Sequence, residues 1–385
     1  MVKAFTYVKE KDLDYLFIVW GIPFRNRIGA VNKQLYSIAN KFCKNNKKVG
    51  ILYISYYSVM RKYNMAGNQS HLFIKSLISK IIYSGLLARI ALYLYRKNTR
   101  CLNAGIKLYA SGIKIPAIKA RHIVTSYWWA VLLALERYPV KNIYFILYHD
   151  YSMDIIHSNM DNIHELQRAY ASSNLILANR ELAKKFQGNY PVITEGIDTG
   201  KYLYKDNTNK KIENIVLIPL RNNPLKGAEY VIPALEMIHN KFPELNIVAY
   251  GDYQGDIPDF IDFQGIIPEA TLREYYLKTT YFILPSIEEG IPEPLLEAMA
   301  GGCACVSTAC GGPQESIING INGLLVPVRS PESIFLALKT LYLNRGLTEA
   351  VMKGAIRTAG SYDLNRTYED FKSAINFYRN KEKLQ

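Results

Sequence analysis

The chain has 385 residues, enough for two domains with cores of their own. Hydrophobic residues make up 49% and charged residues 21%, which excludes a disordered chain, and no uncharged apolar run reaches the 18 residues of a membrane span. The net charge of +14 is unevenly placed: residues 1–200 hold 28 Lys/Arg against 11 Asp/Glu, while residues 201–385 hold 19 against 22.

In chain order, Met1-Val2-Lys3 leads into Lys9-Glu10-Lys11-Asp12 with no apolar stretch, so no signal peptide is expected and a cytoplasmic location is. Short apolar runs then alternate with helical patterns, the mark of α/β units with parallel strands. Strands are predicted at 15–20, 49–54, 123–126, 142–147 and 174–178, with helices at 30–42, 71–95, 130–137 and 162–171. The turn Gly21-Ile22-Pro23-Phe24-Arg25-Asn26-Arg27-Ile28-Gly29 follows the first strand without forming a dinucleotide fingerprint. A polar run at 205–211 reads as a linker. Beyond it, strands are expected at 215–220, 246–250, 281–284 and 304–307, and helices at 227–241, 272–277, 331–344, 347–359 and 366–379, with a short apolar helix around Glu297. The predicted division is a basic first domain over 1–204, a second α/β domain over 205–362, and a C-terminal helix over 363–385 expected to pack back toward the first. The expected architecture is two Rossmann-like, doubly wound α/β domains facing across a cleft, with ligands beyond the carboxyl ends of the strands.

Several residues at those ends can do chemistry. Arg221 and Lys226 directly follow the strand at 215–220, where a guanidinium and an ammonium can clamp a diphosphate. Glu289 and Glu297 straddle a Gly/Pro-rich loop that runs into the short helix, and carboxylates accept hydrogen bonds from vicinal hydroxyls. His149 follows the strand at 142–147 at the same kind of position. Five scattered cysteines argue against a disulfide framework, and Cys303, Cys305 and Cys310 read as buried structural thiols rather than zinc ligands.

The pattern Pro285-Ser286-Ile287-Glu288-Glu289-Gly290, then Leu296-Glu297-Ala298-Met299-Ala300, resembles glycosyltransferase family 4, retaining enzymes of the GT-B fold within the glycosyl transferases group 1. The resemblance extends over Arg221…Lys226-Gly227, Gly265, Gly311-Gly312…Glu315 and Asn322-Gly323-Leu324-Leu325-Val326, and more thinly over Tyr148-His149-Asp150 and Gly196-Ile197-Asp198. It implies a nucleotide-sugar donor such as a UDP- or GDP-sugar, retention at the anomeric carbon, and neither metal nor cofactor. It further implies that Arg221 and Lys226 hold the donor diphosphate, that Glu297 meets the ribose and that Glu289, with Gly290 and Ile291, meets the sugar. Ile266 and Ile267 would lie near the base, Gly29 in the first donor-facing loop, and His149 over the transferred sugar. The catalytic set is thus His149, Glu289, Arg221 and Lys226. Where the family loop reads Glu-Gly-Phe-Gly, this chain has Glu289-Gly290-Ile291-Pro292, and proline lacks an N–H.

The acceptor is expected to be a glycan or lipid-linked molecule. No carboxylate occurs between Asp14 and Glu136, while 19 Lys/Arg do, and the stretch 72–83 is apolar with spaced cations. An anionic membrane surface is therefore an expected partner. One alternative makes the basic half a nucleic-acid platform, for a nucleic-acid-directed transferase or an inactive binding module, with Trp128 and Trp129 stacking on bases. Another is a sugar-nucleotide epimerase on the same fold.

Overall fold

The strand β1 (Leu13–Trp20) is buried along most of its length, as a central strand covered on both faces must be. A computed structural model of the chain describes residues 12–20, 30–55, 59, 92, 102–111, 116–148, 162–202, 213–290 and 292–383. The chain divides into two units: 1–178 with 182–193 and 368–385, and 179–181 with 194–367.

In the first unit β1 is followed by α1 (Ala30–Lys44), β2 (Val49–Ile54), β3 (Lys107–Ser111), β4 (Ala120–Thr125), α2 (Trp128–Leu135), β5 (Ile143–Leu147), α3 (Ile163–Ala171) and β6 (Asn174–Leu177). The six strands form one parallel sheet in the order β3-β2-β1-β4-β5-β6. Apolar residues pack on both faces. Phe17, Phe42, Tyr53, Ile146 and Phe371 belong to one cluster, and Leu16, Ile18, Trp129 and Phe145 to the other. Trp128 and Trp129 are buried in α2, so they cannot stack on bases, and that part of the nucleic-acid reading is corrected.

A short helix α4 (Arg180–Lys185) begins within the residues 179–181 that belong to the second unit. Then come β7 (Glu213–Leu220), α5 (Ala228–Lys241), β8 (Asn246–Gly251), β9 (Ile261–Phe263), α6 (Glu269–Lys278) and β10 (Thr279–Leu284). After them follow α7 (Glu293–Ala300), β11 (Ala304–Thr308), α8 (Gly312–Ser316), β12 (Leu324–Val326), α9 (Pro331–Leu343) and α10 (Arg345–Gly360). The last helix, α11 (Leu364–Lys383), belongs to the first unit from Tyr368 onward. The sheet order is β12-β11-β10-β7-β8-β9, again parallel throughout. The winding reverses between β7 and β10, and that reversal opens the crevice at which a doubly wound sheet binds its ligand.

The helices start where local chemistry allows. Ser330 Oγ accepts from Ser333 N at 3.3 Å with Pro331 opening α9, and Asn344 Oδ1 accepts from Leu347 N at 3.0 Å to cap α10. The predicted helix at 272–277 runs longer, over Glu269–Lys278, and the predicted strand at 123–126 begins earlier, at Ala120. Three strands escaped the sequence, β3, β9 and β12, and all three are sheet edges. An edge strand of three to five mostly part-exposed residues lacks the continuous apolar run that marks a central one. The predicted helix at 71–95, apart from Leu92, which is helical, and the linker at 205–211 lie outside the described residues.

Candidate active site

The crevice between β7 and β10 is built from two loops locked together by backbone. After β7, Asn223 Oδ1 accepts from Leu225 N at 3.0 Å and starts a single 3-10 turn over Pro224–Lys226. Gly227 ends that turn in the left-handed region at φ 73°, and a Cβ there would lie 2.0 Å from the Pro285 carbonyl oxygen. Only glycine permits both the conformation and the contact. The Leu225 carbonyl in turn accepts from Ile287 N at 2.8 Å, so the loop after β7 supports the loop after β10. From the other side, Gly312 N donates to the Glu289 carbonyl at 3.0 Å, and a Cβ on Gly312 would stand 1.7 Å from Gly290 O.

This scaffold places charge at its centre. Lys226 Nζ lies 2.9 Å from both carboxylate oxygens of Glu289, and Ser286 Oγ donates to Oε2 at 2.8 Å. The side chains retain 31% and 14% of their exposure, so the pair contributes on the order of 1 kcal/mol to stability. A contact that weak serves to position the groups more than to hold the fold, and a ligand phosphate can compete for an ammonium with three donors. Ser286 is steadied from below, its carbonyl accepting from Thr308 Oγ1 and, at 3.2 Å, from Cys310 Sγ. Cys303, Cys305 and Cys310 are buried thiols outside any disulfide, as their apolar setting predicts.

Arg221 stands at the end of β7 with its guanidinium carbon 5.8 Å from the centre of the Tyr250 ring. The adjoining Asn222 Oδ1 accepts from Gln254 N at 3.2 Å, tying this loop to the one after β8. Glu297 lies half-buried on α7 among buried Leu295, Leu296, Ala298, Met299 and Ala300. Its Oε1 accepts from the Tyr202 hydroxyl at 2.7 Å. Pro292 precedes α7, its carbonyl accepting from Leu295 N at 2.9 Å and Leu296 N at 3.0 Å, and its ring lies against Gly312. The missing N–H thus falls at a helix start, where donors have no partner within the helix.

The second unit therefore brings Arg221, Lys226 and Glu289 to the ends of the two strands flanking the reversal, with Glu297 on the helix that follows. Gly290 is exposed beside Glu289. Ile266 and Ile267 lie farther along the edge, after Gly265, whose carbonyl accepts from Gly251 N at 2.8 Å. Ile266 is exposed and Ile267 half-buried. His149, Gly29 and Ile291 lie outside the described residues. Sequence reasoning missed Tyr202 and Tyr250, which carry no local signal because each meets its partner across the fold. Ser286 entered only as part of a longer pattern. Asn322, quoted likewise, is structural: its side chain accepts from Ile318 N at 2.7 Å and donates to Ser316 O at 2.9 Å, shaping the turn before β12.

Residues 203–358 match the family described as Glycosyl transferases group 1. Among curated proteins, an uncharacterised glycosyltransferase of Methanocaldococcus jannaschii is 28% identical over 179 residues, 43% of this chain and 45% of that protein. The amylovoran biosynthesis glycosyltransferase AmsK of Erwinia amylovora is 32% identical over 123 residues, 28% of this chain and 30% of its own. The chain thus spans less than half the length of these two relatives. Among solved structures, HepE of Anabaena, in complex with UDP and glucose, superposes at a TM-score of 0.65 with 14% identity, covering 94% of this chain and 99% of its own. WaaG, a glycosyltransferase involved in lipopolysaccharide biosynthesis, superposes at 0.62 with 13% identity, covering 94% and 98%. Two parallel six-stranded sheets of Rossmann type and these neighbours define the fold as GT-B.

Proposed function

We infer that the protein is a retaining glycosyltransferase that moves a sugar from a nucleoside-diphosphate sugar to a glycan or lipid-linked acceptor. The observation that carries this reading is the Lys226–Glu289 pair in the loops flanking the β7/β10 reversal, with Arg221 at the end of β7, all within the part of the chain that matches the transferase family. Departure of the diphosphate builds negative charge on its oxygens, and fixed cations aimed at that position lower the barrier. Arg221 and Lys226 supply two such charges from the protein, so no metal is assigned to the reaction. Glu289, oriented by Lys226 and Ser286, accepts hydrogen bonds from the sugar hydroxyls, and Glu297 accepts them from the ribose. Ile266 and Ile267 flank the base, and Gly290 and Ile291 complete the loop around the sugar. His149 and Gly29 are assigned to the same reaction on the likeness of their motifs alone. The relatives support the acceptor class: one of them, 24% identical over 239 residues, is named as an N-acetylgalactosaminyltransferase acting on a diphospho-undecaprenol-linked sugar in Campylobacter jejuni. A cytoplasmic location, peripheral on an anionic membrane, fits such an acceptor and the basic first half.

A thermal-shift panel of UDP- and GDP-sugars tests the reading. At least one donor should raise Tm of the wild type, and Arg221→Ala and Glu289→Ala should weaken that response. If no donor stabilises the wild type, or both variants respond as it does, the site is wrongly assigned. Retention is tested separately, from the anomeric configuration of the product by NMR.

A further inference from the structure

Glu297 accepts a hydrogen bond from Tyr202, a residue to which the donor site assigns no role. Tyr202 follows the 3-10 turn Thr199–Lys201, in the segment that enters the second unit. Its ring is 3% exposed and stands edge-on to Tyr276, with centroids 5.9 Å apart. Tyr276 is fully buried and shares a hydroxyl–hydroxyl hydrogen bond of 2.9 Å with Tyr250, over whose ring the Arg221 guanidinium lies. Three tyrosines thus form a continuous floor between the proposed diphosphate cation and the proposed ribose carboxylate.

We propose that Tyr202 is a positioning residue for the donor ribose: its hydroxyl, donated to Glu297 Oε1, holds that carboxylate in the orientation that meets the ribose diol. This rests on Glu297 being the ribose carboxylate. Three observations support it. The surrounding cluster, including Ile197, Leu217 and Phe282, is apolar, so phenylalanine would fill the position equally well and the hydroxyl has its use at Glu297. A carboxylate has about four lone-pair directions, so the Tyr202 donor on Oε1 restrains the group while taking up only one of them. A neutral phenol also leaves the carboxylate its full charge, whereas a cation in the same place would compete with the diol. The neighbouring Lys201 is paired instead with Glu269 at 2.9 Å. Burial and the adjacent Glu297 charge push the Tyr202 phenol above its ordinary range, so it stays a donor at any working pH.

The test is calorimetric titration of the full chain with UDP and GDP and with their 2′,3′-dideoxy forms, using wild type, Tyr202→Phe and Glu297→Gln. Tyr202→Phe should weaken binding of whichever diphosphate the wild type takes by about tenfold and leave the dideoxy form within about twofold. Adding Tyr202→Phe to Glu297→Gln should produce little further loss. Equal weakening of both forms would make Tyr202 merely structural, and no weakening of either would remove its role; both results overturn the proposal. If Glu297→Gln discriminates the two forms and Tyr202→Phe does not, only this proposal fails. If Glu297→Gln shows no discrimination, the ribose reading fails with it, and both fall also if neither diphosphate binds the wild type.

Discussion

The ion pair between Lys226 and Glu289 puts two opposite demands on neighbouring side chains, and their separate roles can be read from separate substitutions. Glu289→Gln keeps the shape and the Ser286 contact but removes the charge proposed above to order the sugar hydroxyls. It should lower kcat by about 10²–10³-fold while nucleoside-diphosphate affinity changes little, measured by donor turnover alongside titration. Lys226→Met should instead weaken diphosphate binding itself. A different residue, Glu195, makes stability depend on pH. It is only 5% exposed, and burial, with the nearby Glu293 charge, raises its carboxyl well above the ordinary range. The folded state therefore keeps a proton that the unfolded chain releases near pH 4.5, and stability falls as pH rises above that value. Glu195→Gln should raise Tm at pH 7–8 and have little effect at pH 4, a difference read by pH-dependent thermal unfolding. His122 has the opposite sign. Buried and facing the Arg379 and Arg121 charges, its imidazole is lowered to about 4, with Arg379 Nη2 3.0 Å from Nε2. Stability therefore falls as pH drops from about 6.5 toward 4, and His122→Gln should flatten that fall.

Among elements, the loops after β7, β10 and β11 act as one body because backbone meets backbone at Gly227 and Gly312. A methyl group at Gly312 has nowhere to go, since its Cβ would lie 1.7 Å from a carbonyl oxygen. Gly312→Ala should cost about 2 kcal/mol or more of stability and weaken the donor-induced Tm shift, whereas Gly360→Ala, with nothing within 4 Å of the added carbon, should be nearly neutral. The glycines were visible in the sequence as turn signals, but which backbone each one meets was not. Interior strands such as β1, β5 and β10 were legible because burial on both faces imposes an uninterrupted apolar run. Edge strands β3, β9 and β12 were not, because they are short and mostly part-exposed, whereas β6, also an edge, is buried over Leu175–Leu177 and was legible.

On the scale of the whole molecule, charge is the property that composition alone assigns. The 19 cations without a carboxylate between Asp14 and Glu136 give the first half a one-signed field. Among the described residues no helix is long and apolar enough to cross a membrane. Binding to vesicles of mixed neutral and anionic lipid should therefore appear at low salt and weaken steeply as salt screens it, read by flotation, and absence of binding at low salt would end the membrane reading. The sequence by itself determined the α/β alternation, the charge asymmetry and the identity of Arg221, Lys226, Glu289 and Glu297 as candidates, because strand periodicity and turn chemistry are local. Only the tertiary structure decided that β7 and β10 are neighbours at the reversal of the sheet, and that Tyr202 meets Glu297 from 95 residues away. Strand order and side-chain partners depend on which surfaces exclude water together, and no local pattern records that.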